Sequence, residues 1–288
     1  MGMQINTNTL ANNAYRNLND TQNAVSRSME KLSSGLRINR AADDAAGLAI
    51  SEGLKSQVSG SAVATRNAQD GISVIQTTEG ALTEVHSILQ RMRDLAVQGA
   101  SDTNGAGTGT ARTAIKAEGD SLGAELDRLV KSTNFNGIKL LDGSAGTAGV
   151  MSIQVGTGGT ANDTISVSLT NIAGMGSALT GLGDGTTAKF LVTDNAAARQ
   201  TITDIDAAIG AISTQRASLG ATQNRLEHAT KTLQVSGENL SAAASRITDT
   251  DMASEMVKFT KANIMAQAGT AMLAQANQSG QGVLSLLR

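Results

Sequence analysis

Cysteine and proline are both missing from this chain, and only four of its 288 residues are aromatic: Tyr15, Phe135, Phe190 and Phe259. Without cysteine there are no disulfides, no thiolate catalysis and no Cys-based zinc site. Average usage near 5% would give about 14 prolines. A chain without any can run long uninterrupted helices and has no slow prolyl isomerisation in folding. With so few rings, the 40% apolar content is carried by Ala, Leu, Ile, Val and Met. These suit closely packed helices better than a thick globular core. Charge of one sign is lacking too: 23 Lys+Arg against 25 Asp+Glu leave a net charge of −2. That excludes attachment to nucleic acid or anionic membrane by bulk charge. No apolar run approaches the ~18 residues of a membrane helix, so no membrane insertion is expected. Met1–Asn6 has neither the basic nor the apolar region of a cleaved signal peptide.

The two ends of the chain are helical in pattern and the middle is not. Ala11, Ala14, Leu18, Thr21, Val25, Ser28 and Leu32 recur at alternating spacings of three and four, a weak heptad seam. A second stretch from about Ala45 to Gln98 has its best seam at Leu82, Val85, Leu89, Met92 and Ala96. A shorter one follows with Ile115, Leu122, Leu126 and Leu129. Near the C-terminus, Leu226, Ala229, Leu233, Ser236, Leu240, Ala243 and Ile247 form the cleanest series. After a polar break at Thr248–Asp251, the spacing resumes with Met252, Met256, Phe259, Ala266 and Leu273, and the chain closes on Val283–Leu287.

Between these helical arms, Asn136-Gly137 and Asp142-Gly143 are turn dipeptides. Met151-Ile153-Val155 and Ile165-Val167-Leu169 alternate with polar residues at period two, and Gly156–Asp163 joins them as a hairpin. Residues 172–188 are glycine-rich and weakly patterned. The fold class is therefore mainly α, an elongated rod of long antiparallel helices or coiled coils with a small β-hairpin region in mid-chain. From Leu226 to Leu287 a continuous helix would run roughly 90 Å, too long to bury its seam in one compact core. Either the first and last helices pair with each other or they pair with other molecules. The Ala/Ser/Thr-rich seams give little stability alone and favour the second, with ends that order on assembly.

Patterns that imitate catalytic motifs fail on context. Gly119-Asp120-Ser121-Leu122-Gly123 matches a nucleophile elbow in letters, but it lies inside a helical period with no strand before it. The glycine clusters at 105–109 and 156–159 lack the Lys-Ser/Thr of a phosphate loop. His86 and His228 have no metal-ligand spacing to one another. Arg37-Ile38-Asn39-Arg40 is too short, and too poor in aromatics, for nucleic-acid binding; it reads as a solvated helix end or a subunit contact. Asn162-Asp163-Thr164 fits a glycosylation triplet, a pattern common by chance. No cofactor, metal or catalytic residue is expected, and the chain reads as a structural or binding protein.

The segment from Ser28 to Ile50, including Glu30-Lys31-Leu32-Ser33-Ser34-Gly35-Leu36-Arg37-Ile38-Asn39-Arg40, resembles the N-terminal signature of bacterial flagellin. Leu89-Gln90-Arg91-Met92-Arg93-Asp94-Leu95-Ala96-Val97-Gln98 resembles a second family segment. Ala268–Gln278 with Val283–Arg288 resembles a third. Together the matches cover about residues 3–170 and 200–288. The resemblance implies a minimal filament subunit with an inner domain from residues 1–44 plus 250–288. An outer helical rod would take 45–171 plus 196–249, with its hairpin at about 135–170, and 172–195 would be the remnant of a variable insertion. It implies a homo-polymer in the extracellular flagellar filament, exported unfolded through the flagellar type III channel. The implied partners are a cap protein, hook–filament junction proteins, a flagellin-specific export chaperone with the export apparatus, and a host Toll-like receptor. By resemblance the receptor contact falls on Leu89, Gln90, Arg91, Leu95, Gln98 and Glu118. The self-assembly seams fall on Leu18, Val25, Leu32, Leu226, Leu233, Leu240, Ile247, Met256, Phe259, Leu273, Leu284 and Leu287. Two departures stand out: Gly119 follows Glu118 where an apolar helix former is usual, and Ser279-Gly280 stands where many relatives have a proline. The alternative is a hook–filament junction protein of the same superfamily, which shares the terminal heptads but does not polymerise.

Overall fold

The computed structural model describes residues 8–102, 109–169 and 190–286, with side chains as far as Gln278. Long helices dominate: α1 (Thr9–Ser34), α2 (Ala45–Gly99), α3 (Thr110–Ser132), α4 (Asn195–Thr248) and α5 (Met252–Leu286). Between α3 and α4 lie two hairpins, β1 (Asn134–Phe135) with β2 (Ile138–Lys139), and β3 (Val150–Gln154) with β4 (Thr164–Ser168). The fold is mainly α with a small β region, as the periodicities predict. By contacts the chain divides into two compact units, Met1–Val58 with Glu238–Arg288, and Ser59–Gly237. The sequence-based division at 44/45 and 249/250 follows the breaks between helices, whereas this contact boundary falls within α2 and α4. Leu287, residues 172–189 and the side chain of Leu284 lie outside the described residues.

In the Ser59–Gly237 unit, α2 and α4 run antiparallel. Arg93 pairs with Asp206 at 2.5 Å, Arg216 with Glu79 at 3.4 Å, and Leu226 meets the backbone of Gly71. Between these tie points the expected seam of α2 is buried: Leu82, Val85, Leu89, Met92 and Ala96 are each 1% exposed or less. α4 answers with Ile205, Ile212, Leu219 and Leu226. α3 adds Ile115 and Val130 in full and Leu122, Leu126 and Leu129 in part, so its predicted seam also faces inward.

Both hairpins follow their turn chemistry. At Asn136 and Gly137 φ is +49° and +81°, the two left-handed residues that a two-residue hairpin turn needs. β3 and β4 pair from Val150↔Ser168 to Gln154↔Thr164, which puts Ile153, Ile165 and Val167 on the core side. Helix amides tie down both strands: Asn67 on α2 donates to the Gln154 carbonyl at 3.2 Å, and Gln215 on α4 donates to the Ser168 carbonyl at 2.6 Å. Amides from both helices thus occupy backbone acceptors that a free sheet edge would expose.

Phe190, with 0% exposure, heads the largest fully buried side chains of this unit. Its ring lies on Gly119, where a Cβ would fall inside van der Waals contact of three ring carbons. This resolves the departure at Gly119. The glycine that weakens α3 locally is the seat for the one aromatic ring buried in full, and Gly123 one turn on is buried as well. Replacement of Gly119 by Ala should therefore destabilise the protein by about 1–3 kcal/mol, despite the ~1 kcal/mol that Ala gains over Gly in a helix. Urea unfolding checks this, and a raised midpoint would show that the ring is not seated on the backbone.

Candidate assembly surface

The other unit is built on the pairing of α1 with α5. Along α1 the inward positions are Asn8, Ala11, Ala14, Leu18, Thr21, Val25, Ser28 and Leu32, the predicted seam extended by the helix cap. Along α5 they are Glu255, Phe259, Ala262, Ala266, Gly269, Leu273 and Ala276, again at spacings of four and three. The helices are antiparallel. The Asn8 amide donates to the Ala276 carbonyl at 3.0 Å, Leu18 packs on Gly269, and Ser28 meets Glu255. The expectation that the terminal seams look for partners on other molecules is thus corrected: α1 and α5 cover one another within a single chain. Small residues among the inward positions, such as Gly269 beneath Leu18, let the helices approach closely.

Met256, expected in the seam, lies outside it at 52% exposed, and Glu255 takes the inward position. A carboxylate there needs partners. Ser28 donates its hydroxyl to one Glu255 oxygen at 2.7 Å, and Lys258 donates to the other at 3.0 Å. The Ser28 hydrogen bond, followed by those of Lys258 and its charge, holds Glu255 below the ordinary carboxylate range in spite of burial. The signal for this lies in the sequence: Ser28 sits at a seam position of one helix, and Glu255, four residues before Phe259, at a seam position of the other.

The joint beside this pair uses the short basic run. Gly35 ends α1 in the left-handed conformation, at φ +71°. The next strand-like residues pair with the end of α4: Thr250 N–H donates to the Gly35 carbonyl at 3.0 Å and Arg37 N–H to that of Thr248 at 2.6 Å. The Arg37 guanidinium then donates to the Ile247 carbonyl at 2.7 and 3.2 Å, capping α4. Ile38 is buried, and Arg40 pairs with Glu30 at 2.8 Å. Asp43 accepts from the backbone N–H groups of Asn39 and Arg40, which lower its pKa. Asp251 caps α5 by accepting from Ala253 and Ser254. Arg37 and Arg40 are therefore internal ties of this unit.

The outward faces of the two helices differ. α1 shows mainly Asn, Asp, Gln and Arg to solvent between Asn12 and Arg27, with Tyr15 the one large apolar side chain exposed there and Leu10 and Met29 exposed toward its ends. α5 shows Val257 at 69%, Ile264 at 61%, Met265 at 52% and Met272 at 65%. A helix apolar on both sides requires cover on both. α1 supplies one cover, and an exposed apolar strip of this kind marks an interaction surface. The sequence reading missed this strip because it followed one heptad seam and stopped there; Val257, Ile264 and Met265 stand out once a second apolar stripe is traced.

The residues of the expected receptor contact lie in the other unit. Arg91 on α2 and Glu118 on α3 form an ion pair at 2.6 Å, with side chains 57% and 44% exposed. Gln90 and Gln98 are exposed beside it, while Leu89 and Leu95 are buried in the core. Of the remaining expected seam residues, Leu226 is buried and Leu233, Leu240 and Ile247 are half-buried along α4. Among the described residues no group of His, Cys, Asp and Glu could hold a metal, and no helix is long and apolar enough to cross a membrane.

A paired terminal coiled coil with one uncovered apolar face on α5 defines the class of a helical structural subunit. Comparison with known proteins gives the family. Residues 5–146 match the bacterial flagellin N-terminal helical region and residues 202–287 the bacterial flagellin C-terminal helical region. A flagellin of Halalkalibacterium halodurans is 49% identical over 99% of this chain and 100% of its own length. A flagellin of Bacillus subtilis is 48% identical, with the same coverage of each. The chain belongs to the bacterial flagellin family, whose members are structural filament subunits and not enzymes. A solved flagellar hook-associated protein from Vibrio parahaemolyticus covers 72% of this chain and all of its own, at 16% identity and TM-score 0.55, a likeness of fold alone. Full-length matches to flagellins leave the junction-protein alternative not favoured.

The Ser28–Glu255–Lys258 contact carries a pH signature. Because the folded carboxyl titrates below its unfolded value of about 4.3, its stabilisation is complete above that value and is lost as pH falls through the lower folded value. Glu255→Gln should lower stability at pH 7 by about 1–3 kcal/mol and reduce the loss between pH 5 and 3. Unfolding followed by helical circular dichroism at each pH checks this; an unchanged acid slope would contradict it.

Proposed function

We propose that this chain polymerises into the extracellular filament of the bacterial flagellum, serves motility, and leaves the cell unfolded through the flagellar type III channel. The observation that carries the reading is the second apolar face of α5, with Val257, Ile264 and Met272 each more than 60% exposed after α1 has taken the other side. In the filament, neighbouring copies cover that face. Residues 1–44 with 250–288 form the inner domain of the subunit and 45–171 with 196–249 its outer rod. A cap protein guides growth, hook–filament junction proteins anchor the base, and a flagellin-specific chaperone delivers the chain to export. Long proline-free and disulfide-free helices suit this route, because they refold after passage without slow prolyl isomerisation or disulfide formation.

Val257→Asp puts a charge on the uncovered face and leaves the α1/α5 seam alone. It should fold with unchanged helicity and lose seeded filament elongation by roughly tenfold or more. Growth at the normal rate on short seeds, followed by light scattering and electron microscopy, would refute the reading.

The monomer is also a ligand of the flagellin-sensing Toll-like receptor. Gln90, Arg91, Gln98 and Glu118 present the contact, and Leu89 and Leu95 support it from the core. The support for this is the exposure of Arg91 and Glu118, which hold each other at 2.6 Å on adjoining helices. Arg91→Ala should reduce activation of receptor-bearing reporter cells by roughly tenfold. Equal activation by both proteins would remove Arg91 from the contact.

A further inference from the structure

Among the described residues the exposed methionines gather on α5, with Met29 of α1, at 53%, the one other. In the Ser59–Gly237 unit, Met92 is buried and Met151 is half-buried. On α5, Met252, Met256, Met265 and Met272 are 49%, 52%, 52% and 65% exposed. All four thus stand on the solvent side of the helix, and Met256 and Met265 share one apolar strip with Val257 and Ile264. Leucine would fill about the same volume with equal helix propensity and no chemistry of its own. Methionine adds a polarisable thioether that a two-electron oxidant can reach.

We propose that these four thioethers form an oxidation-sensitive site that controls assembly, taking hydrogen peroxide as the co-reactant. The proposal rests on the reading that neighbouring subunits cover this face. In the reaction a sulfur lone pair attacks the peroxide oxygen, an S–O bond forms as the O–O bond breaks, and water leaves. The thioether is oxidised by two electrons to a sulfoxide, and the peroxide is reduced. Each sulfoxide puts a strong acceptor into a surface that must be desolvated for assembly, where the strip around Val257 and Ile264 offers as donors only Lys261 and the Thr260 hydroxyl, which already donates to the Met256 carbonyl. The seam with α1 contains no methionine among its inward positions, so the monomer keeps its fold while its outward face turns polar. Free subunits are vulnerable, and polymerised subunits are shielded.

The test treats purified full-length monomer and preformed filaments with the same dilute peroxide. Sulfoxide is mapped by peptide mass spectrometry, and seeded elongation is then measured. Sulfoxide should accumulate at Met252, Met256, Met265 and Met272 in monomer and much less in filaments. Oxidised monomer should retain its helical circular dichroism and elongate roughly tenfold more slowly or worse. Methionine sulfoxide reductase with a thiol reductant should restore growth. A variant with all four changed to Leu should elongate and resist the oxidant; if it grows poorly for packing reasons, the reductase rescue decides instead. Normal elongation of monomer carrying sulfoxide at all four positions overturns the proposal, as does failure of the reductase to restore growth after removing the sulfoxide. If untreated subunits do not elongate at all, the assembly reading falls, and this proposal with it. Equal elongation with and without oxidation strikes the oxidation proposal alone.

Discussion

Everything in the terminal unit depends on how α5 divides its apolar surface. The helix carries two stripes, and α1 covers only one of them. The covered stripe, from Glu255 through Phe259, Gly269 and Leu273 to Ala276, fixes register by small residues and one satisfied carboxylate. The uncovered stripe makes the chain a subunit. Were α5 polar on its outer face, the same antiparallel pair would close on itself as a self-sufficient coiled coil. Burying a carboxylate at one end of the pair adds specificity of a different kind, because Ser28 reaches Glu255 in one register and a slip of a turn would remove that hydrogen bond, leaving the carboxylate only Lys258 of its own helix. Register is thus helped by polar chemistry and closeness by Ala and Gly, between which Leu18, Val25, Leu32, Phe259 and Leu273 supply the apolar contact.

The Ser59–Gly237 unit solves the opposite problem. It has a real core, drawn from three helices and a hairpin, yet almost no aromatic volume with which to fill it. Phe190 supplies that volume at one point, and α3 makes room with Gly119. Gly71 does the same for Ile153 of the hairpin. Each of these glycines weakens its helix locally and is offset by the close contact it permits. Exposed ion pairs such as Arg93–Asp206 align the helices at the surface but contribute little to stability beside the buried apolar seam.

Much of this was legible in the residues. Alternating three- and four-residue spacings marked α1, α2, α3 and α5, and the period-two runs at Met151–Val155 and Ile165–Leu169 marked the larger hairpin. The seam of α1 fell where the spacing placed it, Ser28 included. Three things were not legible. Periodicity shows which face is buried but not against what, so the pairing of α1 with α5 could not be told from pairing between molecules. A single-seam reading assigns each helix one apolar face, so it overlooks the outer stripe of α5 and puts Met256 inside. Long-range caps such as Arg37 on the Ile247 carbonyl join residues more than 200 positions apart and leave no local trace. In the receptor segment the resemblance alone ranks Leu89, Leu95 and Arg91 equally, whereas burial separates the two leucines from the exposed arginine.

The most direct measurement is carbene footprinting of isolated subunits and of filaments, read residue by residue along α5. The account predicts heavy labelling of Val257 and Ile264 in the free subunit and protection in the filament, with Phe259 and Leu273 protected in both states. Labelling of Val257 and Ile264 that is the same in subunit and filament would contradict it.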